Sequence, residues 1–298
     1  MMDRHDFLIG VDGGGTGTRV VLADAHGVEM AQGTGGSSGL GLGVERAWQS
    51  IEAAVTQAFE RTGAALDWSR CALACGLAGV NNRDWLAAFV AHAPKLAALV
   101  IESDAYTTLV GAHDGAPGVI VALGTGSVAA ALDEKGACRI AGGYGFPSGD
   151  EASGAWLGVR AVVHAQRSLD GRTQPDAFSQ ALLARTGAQD RDSLVVWLCA
   201  ANQTAYASLA PLVLEHRTHP FAAGLLAQAG ADIANLIDAL DPAAQLPVAL
   251  CGGLAEPLTP FVPPSHRARL RAPLSDSVHG ALRLAHREAA RAAQAARP

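Results

Sequence analysis

Cysteine, lysine and aromatic residues are all scarce in this chain of 298 residues. The cysteines, which are odd in number and lack zinc-finger spacing, are Cys71, Cys75, Cys138, Cys199 and Cys251. We therefore expect them to be reduced side chains that pack as small hydrophobes, not disulfides or metal ligands. The ten histidines are scattered without a His-Glu-x-x-His motif, and we expect surface or packing roles for them.

Long runs of positive charge and long apolar runs are also missing. The net charge is −6, and the only basic cluster, residues 267–271, is too short to make nucleic acid a main partner. No apolar stretch reaches membrane-spanning length, and the N-terminus has no long apolar region, so we expect a cytoplasmic protein without a signal peptide or membrane contact. A hydrophobic content of 49% over this length allows one large or two medium domains.

A glycine-rich turn follows the first apolar segment. Residues 7–11 read as a buried strand, Asp12-Gly13-Gly14-Gly15-Thr16 follows, and residues 18–24 read as a second strand. A dinucleotide-binding loop or a P-loop would require a helix after the glycines. A strand-turn-strand unit instead lets backbone N–H groups close on a phosphate, while the carboxylate holds a metal ion directly or through water.

The same pattern recurs twice in the second half of the chain. A strand at residues 119–123 runs into Gly124-Thr125-Gly126-Ser127, and another at 246–251 runs into Gly252-Gly253. Any one of these could be an ordinary tight turn, but three in this order favour the parts of one nucleotide site. We expect Gly126 to have no room for a β-carbon beside the phosphates, so that Gly126→Val weakens ATP binding far more than sugar binding.

Ordinary periodicity predicts the remaining elements. Helices are expected at 44–62, 82–92, 104–113 and 149–169, the last with Asp150 and Glu151 in its first turn, followed by a helical region at 175–240. Strands are expected at 71–77 and 96–102. A closing helix is expected at 275–296, with Ser275 or Asp276 as its N-cap.

These motifs resemble those of the sugar kinase/Hsp70/actin superfamily. Within it, residues 142–154, GGYGFPSGDEASG, resemble the Gly-Asp-Glu-Gly-Ser signature of the N-acetylglucosamine and glucosamine kinases of the BadF/BadG/BcrA/BcrD ATPase group. The resemblance implies an α/β, two-lobed, actin-like ATPase fold of duplicated ribonuclease H-like domains, with the active site in a cleft between the lobes. We place the lobes at residues 1–115 and 116–298, with the last helix packing back on the first lobe.

The candidate catalytic base is Asp104, which lies at a strand-to-helix junction where open α/β sites are found. Its position alone does not separate a base from a helix N-cap. The resemblance implies the base, and Glu102 is the alternative.

The resemblance also implies the binding residues. For ATP and Mg²⁺ these are Asp12, which is also the metal residue, Gly13, Gly14, Gly15, Thr16, Gly124, Thr125, Gly126, Ser127, Gly252 and Gly253. For the sugar they are Ser38, Gly39, Asp104, Thr125, Gly126, Tyr144, Gly145 and Asp150. Three positions near the sugar depart from the family: Ser38-Gly39 replaces an Asn, Tyr144 a Trp and Ala152 a Gly.

The function that the resemblance implies is ATP- and Mg²⁺-dependent phosphorylation of the 6-hydroxyl of glucosamine or N-acetylglucosamine by a homodimer. Two alternatives remain open at this point. One is an ATPase that activates a 2-hydroxyacyl-CoA dehydratase through an iron–sulfur cluster, for which no suitable cysteine pair follows the phosphate loops. The other is a non-catalytic sugar sensor, against which Asp12 and Asp104 both argue.

Overall fold

The computed structural model describes residues 6–295 of the chain. It divides into two compact units: unit 1 comprises residues 1–116 and 273–298, and unit 2 comprises residues 117–272. The first boundary is one residue from the expected one. The sequence division placed the C-terminal segment in the second lobe and expected its helix to pack back on the first lobe, and in the structure the described part of this segment, residues 273–295, groups with unit 1.

Unit 1 is an α/β unit built on one sheet. Its strands are β1 (Phe7–Gly13), β2 (Thr18–Asp24), β3 (Glu29–Gly35), β4 (Cys71–Leu77) and β5 (Ala98–Ser103). Its helices are α1 (Val44–Thr62), α2 (Arg83–Ala91), α3 (Asp104–His113) and, from the end of the chain, the helix Ser277–Ala295. Two 3₁₀ turns, Leu40–Leu42 and Trp68–Arg70, complete it.

The sheet of unit 1 has the strand order β3-β2-β1-β4-β5. The first three strands form an antiparallel meander, and β1, β4 and β5 are parallel. Alternate side chains of β1 enter two cores, with Ile9 and Val11 facing α1 and Leu8 facing the C-terminal helix. Because β1, β4 and β5 are parallel, their carboxyl ends lie together, and Gly13 and Asp104 are both at this end of the sheet.

The C-terminal helix, Ser277–Ala295, packs so closely against β1 and α3 that the backbones are in contact. A β-carbon on Gly10 would collide with the Val278 carbonyl oxygen, and one on Gly280 would collide with the Thr107 carbonyl oxygen. Thr107 Oγ1 and Ser277 Oγ share a 2.8 Å hydrogen bond in the buried interface. The glycines therefore let this helix dock against β1 and α3, where a larger side chain would hold it away.

Unit 2 carries a smaller sheet and most of the helices. Its strands are β6 (Gly118–Leu123), β7 (Ser127–Leu132), β8 (Cys138–Gly142) and β9 (Val248–Cys251). Its helices are α4 (Gly154–Leu169), α5 (Ala177–Thr186), α6 (Arg191–Ala200), α7 (Gln203–Ala207), α8 (Ala210–Glu215), α9 (Pro220–Leu240), α10 (Ala255–Leu258) and α11 (Pro264–Arg267), with a 3₁₀ turn at Thr259–Phe261. The C-terminal helix of unit 1 is thus α12.

The sheet of unit 2 repeats the start of the unit 1 sheet. Its order is β8-β7-β6-β9, in which β6, β7 and β8 form an antiparallel meander and β9 runs parallel to β6. The core packs β6 and β7 against α4 and α9. Because β6 and β9 are parallel, the loops that follow Leu123 and Cys251 lie at the same end of the two strands.

Two predicted helix boundaries are wrong, and one strand was missed. The helix expected from residue 149 begins at Gly154, because Asp150 and Ala152 have φ angles of 60° and 65°, which a right-handed helix excludes. The closing helix begins at Ser277, capped by Asp276, whose Oδ1 accepts the His279 N–H. The predicted end of that helix at Ala296 lies outside the described residues. Strand β8, largely exposed, had no prediction.

Cysteine burial follows the expectation only in part. Cys71 and Cys75 are buried in β4, and burial raises the pKa of the Cys71 thiol to about 12. Cys138 and Cys199, however, are exposed, so they are not core hydrophobes. Across residues 6–295, no helix is both long enough and apolar enough to cross a membrane.

Candidate functional site

The glycine-rich turn of unit 1 is a hairpin between β1 and β2. Gly14 N donates to the Gly17 carbonyl at 3.1 Å, and its own carbonyl accepts the N–H groups of Ser38 and Gly39, each at 3.1 Å. A β-carbon on Gly14 or Gly15 would meet no atom within 4 Å. The predicted absence of a following helix is confirmed, and the turn is open on its outer side.

The side chain of Asp12 is held by an arginine that the sequence analysis missed. Arg19, the cross-strand partner of Asp12, donates to Asp12 Oδ2 from Nη2 at 2.7 Å and from Nε at 3.2 Å. Its Nη1 donates to Asp276 Oδ2 at 2.7 Å. The guanidinium thus balances two carboxylates beside the turn. Only the cross-strand register, which pairs Asp12 with Arg19, could have indicated this contact from sequence.

Asp104 lies at the start of α3, as predicted, but it does not cap that helix. The N-cap is Ser103, whose Oγ accepts the Tyr106 N–H at 3.1 Å. The Asp104 carboxylate accepts the Ala105 N–H at 2.9 Å through Oδ1. Burial, assisted by the negative charge of Asp12, raises the pKa of Asp104 above its usual value.

Asp12 and Asp104 border one hollow of about 490 Å³ in unit 1. Its other lining residues come from the hairpin and β3: Gly13, Gly14, Thr16, Gly17, Thr18, Arg19, Thr34 and Gly35. Two carboxylates and one arginine therefore face a space walled by backbone and hydroxyl groups. This composition suits a phosphorylated, polar ligand. The alternative base, Glu102, lies on β5, and burial raises the pKa of its carboxyl group too.

The loop after β3 supports the hairpin from the side. Ser38 is fully buried, and its Oγ accepts a hydrogen bond from Thr18 Oγ1 at 2.7 Å. A β-carbon on Gly13 would lie 2.7 Å from the side chain of Leu77 and collide with Ser38 Oγ. This burial argues against direct contact of the Ser38 side chain with a sugar. Gly39 contributes its N–H to Gly14.

The first turn of unit 2 is also a hairpin, but it is held by a helix. Gly124 N donates to the Gly126 carbonyl at 2.9 Å, closing the turn between β6 and β7. The first N–H groups of α4 donate to the loop, from Gly154 to the Gly124 carbonyl at 2.8 Å and from Ala155 to the Thr125 carbonyl at 3.1 Å. These donors, which a helix end leaves unpaired, fix the position of the loop.

Asp150 is buried beneath that turn, and each of its carboxylate oxygens accepts a hydrogen bond. Its Oδ1 accepts the Gly145 N–H at 3.1 Å, and its Oδ2 accepts from Gln203 Nε2 at 2.9 Å. Burial raises the pKa of Asp150 despite these bonds and the N–H of Ser127. A β-carbon on Gly126 would lie 2.6 Å from Asp150 Oδ2. This packing couples the turn to Asp150, so a larger side chain at position 126 would disturb Asp150 as well as the turn.

Gln203 is the second residue that sequence reasoning missed. It is the first residue of α7, and its distance of 53 positions from Asp150 leaves no local signal of the contact. The only available hint is its position in a polar Asn-Gln-Thr run that interrupts the apolar helical region.

Most of the signature segment, residues 143–153, is a loop with several left-handed φ angles and is not part of a helix. Tyr144 is 88% exposed, and Gly145 has a φ of 85°. Ala152, at the family's glycine position, is fully buried with a φ of 65°, a conformation that glycine adopts more easily. Glu151 does not cap α4, because Ser153 does so through its bond from Trp156 N. Within residues 6–295, Glu151 Oε2 is buried without a hydrogen-bond partner.

The third glycine turn follows β9. Gly252 has a φ of 92°, and a β-carbon there would collide with the Leu123 carbonyl oxygen, which accepts the Leu254 N–H at 3.1 Å. Gly253 borders open space. The turn is therefore joined to the end of β6, directly before the Gly124 loop.

Comparison with known proteins places these features in a family. The sequence profile of the BadF/BadG/BcrA/BcrD ATPase family matches residues 9–261. The chain is 31% identical to the glucosamine kinase of Vibrio cholerae over 94% of this chain and 96% of that protein. It is 48% identical to a proposed N-acetylglucosamine kinase from Chromobacterium violaceum, with a TM-score of 0.91 over 94% of this chain and 99% of the other.

The similarity extends in fold to a more distant class. The activator of the 2-hydroxyisocaproyl-CoA dehydratase from Clostridium difficile, solved with bound ADPNP, gives a TM-score of 0.54 at 14% identity over 97% of this chain and 96% of that one. This likeness is one of fold alone. The expected family and the expected α/β, actin-like ATPase fold are both confirmed.

Proposed function

We propose that this chain, which belongs to the BadF/BadG/BcrA/BcrD ATPase family, is an ATP-dependent kinase that phosphorylates the 6-hydroxyl of glucosamine or N-acetylglucosamine. The names of its relatives support the amino-sugar class. The observation that carries the chemistry is the position of Asp104, which borders the same hollow as the glycine-rich turn and leaves the capping of α3 to Ser103.

Asp104 acts as the general base. As the acceptor oxygen forms its bond to the γ-phosphorus, the bond from that phosphorus to the bridging oxygen breaks, ADP leaves, and the hydroxyl proton passes to Asp104. Oδ1 of Asp104 already accepts the Ala105 N–H, so Oδ2 is the oxygen that takes the proton.

Asp12 fits the role of a Mg²⁺ residue. Both bonds from Arg19 go to Oδ2, so Oδ1 can face the ion or one of its waters. Proteins typically bind Mg²⁺ through one or two carboxylates together with substrate phosphates, so a single carboxylate is sufficient. The bound ion would neutralise phosphate charge. Gly13, Gly14, Gly15 and Thr16 surround the phosphates from the open side of the hairpin.

Unit 2 supplies binding groups. We assign Gly124, Thr125, Gly126 and Ser127 to phosphate contacts, Gly252 and Gly253 to the adenosine side, and Asp150 to sugar hydroxyls. A carboxylate that accepts hydroxyl hydrogen bonds gives both affinity and stereoselectivity. Gly145, which donates to Asp150, and the exposed Tyr144 before it are assigned to the sugar side, while Ser38 and Gly39 act by supporting the Gly14 turn. The homodimer implied by the family resemblance is also part of this proposal.

A coupled assay for ADP release across a panel of sugars tests the function. Glucosamine or N-acetylglucosamine should give turnover well above glucose and above a sugar-free control, and ³¹P NMR should identify a 6-phosphate. Activity should disappear in excess chelator and return with Mg²⁺. If no sugar raises ADP release above the control, the kinase assignment is wrong and a non-catalytic sensor is favoured.

A further inference from the structure

Two histidines and an aspartate from distant parts of unit 2 meet at one point outside the proposed kinase residues. His164 Nε2 lies 2.8 Å from Asp176 Oδ2, and His219 Nε2 lies 3.1 Å from the same oxygen. His164 is on α4, Asp176 precedes α5, and His219 precedes α9. All three ligand atoms lie within 4.8 Å of one another.

The local fold gives each side chain a fixed orientation. Asp176 is the N-cap of α5 and accepts the Ser179 N–H at 2.7 Å through Oδ1, which turns Oδ2 toward the histidines. The His164 ring stacks on Phe178 and Phe221, with centroids 5.5 and 4.8 Å away. The convergence of the three polar atoms is therefore built by helix capping and aromatic packing, and does not depend on a mobile surface.

We infer that His164, Asp176 and His219 form a binding site for one divalent transition-metal ion of the Zn²⁺ type. Two imidazoles and one carboxylate are a ligand set of known zinc centres, with bonds of about 2.0–2.2 Å. Tetrahedral coordination at these bond lengths places two ligand atoms about 3.4 Å apart. His164 Nε2 and His219 Nε2 lie 2.8 and 3.1 Å from Asp176 Oδ2, so small side-chain shifts would admit the ion. Nitrogen ligands favour Zn²⁺, Co²⁺ or Ni²⁺ over Mg²⁺.

Solvent reaches one side of the cluster. The His164 side chain is 6% exposed, but the side chains of His219 and Asp176 are 24% and 30% exposed. An ion can therefore enter from that side, and water can fill the positions that the protein leaves open. Bound there, the ion would join α4 to the first turns of α5 and α9, three helices otherwise linked by hydrogen bonds and packing.

Metal binding has one identifiable cost. His219 Nδ1 accepts the Phe221 N–H in a long contact of 3.3 Å. Coordination through Nε2 moves the ring proton to Nδ1, so this contact is given up. Bonds to the ion replace the two hydrogen bonds from His164 and His219 to Asp176 Oδ2. The remaining loss is one long hydrogen bond at the start of α9, whose first residue, Pro220, has no N–H to satisfy.

The test uses the full chain, freed of metal by chelation and dialysed, with Zn²⁺ for affinity and Co²⁺ for its visible absorption. Asp176→Asn should weaken Zn²⁺ binding at least about 100-fold, since even residues behind the ligands cost 10–100-fold. Asparagine retains an oxygen for the Ser179 N–H and should keep the fold, which circular dichroism checks. His219→Asn is the second variant, because asparagine also caps helices well but lacks Nε2.

His216→Gln is the matched control. His216 also packs on Phe178, with centroids 5.1 Å apart, but it is not one of the three converging residues, and its Nδ1 bonds to the Leu212 carbonyl, so its loss should leave Zn²⁺ binding unchanged. Zn²⁺ should raise the melting temperature of the parent and of His216→Gln but not of the two ligand variants. If the parent gives no Co²⁺ spectrum, or if both ligand variants bind Zn²⁺ as the parent does, the three residues are only a hydrogen-bonded cluster and the proposal is overturned.

Discussion

The two glycine hairpins have the same strand-turn-strand backbone, but the carboxylates beside them differ in burial. In unit 1, the carboxylates of Asp12 and Asp104 border an open hollow, and Gly14 and Gly15 of the turn face empty space. In unit 2, the carboxylate of Asp150 is buried, bonded through both oxygens and pressed against Gly126. The comparison indicates that unit 1 presents reactive groups and unit 2 presents a preorganised binding surface.

The largest expected effect is a loss of activity when Asp104, whose carboxylate borders the open hollow, is replaced. Asp104→Asn should lower kcat by about 10²–10⁴-fold, the usual contribution of a general base, because an amide cannot take the hydroxyl proton. The melting temperature should stay near that of the parent, since Ser103 caps α3. Steady-state kinetics and thermal melting measure the two effects.

Ser103→Ala is the opposite control for Asp104→Asn. It removes the cap and should cost about 0.5–2 kcal/mol of stability while leaving the Asp104 carboxylate in place. Parental kcat in Asp104→Asn would remove Asp104 as the base and direct attention to Glu102.

The second prediction compares glycines in the two hairpins. Gly126→Ala should cost about 1–3 kcal/mol in stability, because its β-carbon would lie 2.6 Å from Asp150 Oδ2, and it should raise the KM for sugar as well as for ATP. Gly14→Ala meets no protein atom within 4 Å, so it should keep the parental melting temperature and raise only the KM for ATP. Equal melting temperatures for both variants would contradict the difference between the hairpins.

The third prediction concerns the residue that holds the buried carboxylate of Asp150. Gln203→Met removes the donor to Asp150 Oδ2, and a lost hydrogen bond to a charged group costs about 1.5–3 kcal/mol, so the sugar KM should rise about tenfold or more with the ATP KM unchanged. Gln228→Met is the control, because it breaks a similar Gln–Asp bond to Asp232 at an exposed position of unit 2. If both variants have the same sugar KM, Gln203 does not position Asp150.

The smallest expected effect is a pH dependence of stability. Because the pKa of Asp104 is raised in the folded chain, the folded state holds a proton that the unfolded state has released. The stability that protonated Asp104 contributes to the folded state is therefore fully present below the ordinary pKa of an aspartate, about 3.9, and is lost as pH rises through the folded pKa. The Asp104→Asn variant does not lose stability in this way.

Denaturant unfolding of parent and Asp104→Asn between pH 4 and 8 measures that difference. The free energy of unfolding of the variant relative to the parent should rise with pH and then level off. A difference that stays constant with pH would mean that the Asp104 pKa is not raised.

The sequence predicted what depends on short-range pattern. Strands β1 and β4, helices α1 and α3 and the two hairpin turns follow from apolar periodicity and glycine position, and α1 and α3 begin and end where predicted. The start of α4 could not be predicted in the same way. Ala152 adopts a left-handed φ only because the surrounding core holds it there, and composition carries no sign of that strain.

Long-range contacts explain the rest of what the sequence did not predict. Arg19 contacts Asp276 over 257 positions, and Gln203 contacts Asp150 over 53. Neither pair lies on one helix face or one hairpin, so the sequence periodicity gives no sign of either contact. The contacts of His164 and His219 with Asp176 were not predicted for the same reason, because the three residues are far apart in the sequence and meet only in the folded chain.

The docking of α12 has a consequence for the order of events during synthesis. Unit 2, residues 117–272, emerges from the ribosome before the segment that completes unit 1. Until α12 is made, the apolar groove of β1 and α3 around Gly10 and Thr107 stays uncovered, while unit 2 already has its whole sequence and can fold as a domain. Unit 1 therefore remains incomplete while unit 2 is translated. The surface of β1 and α3 is covered only when residues 277–295 have been made.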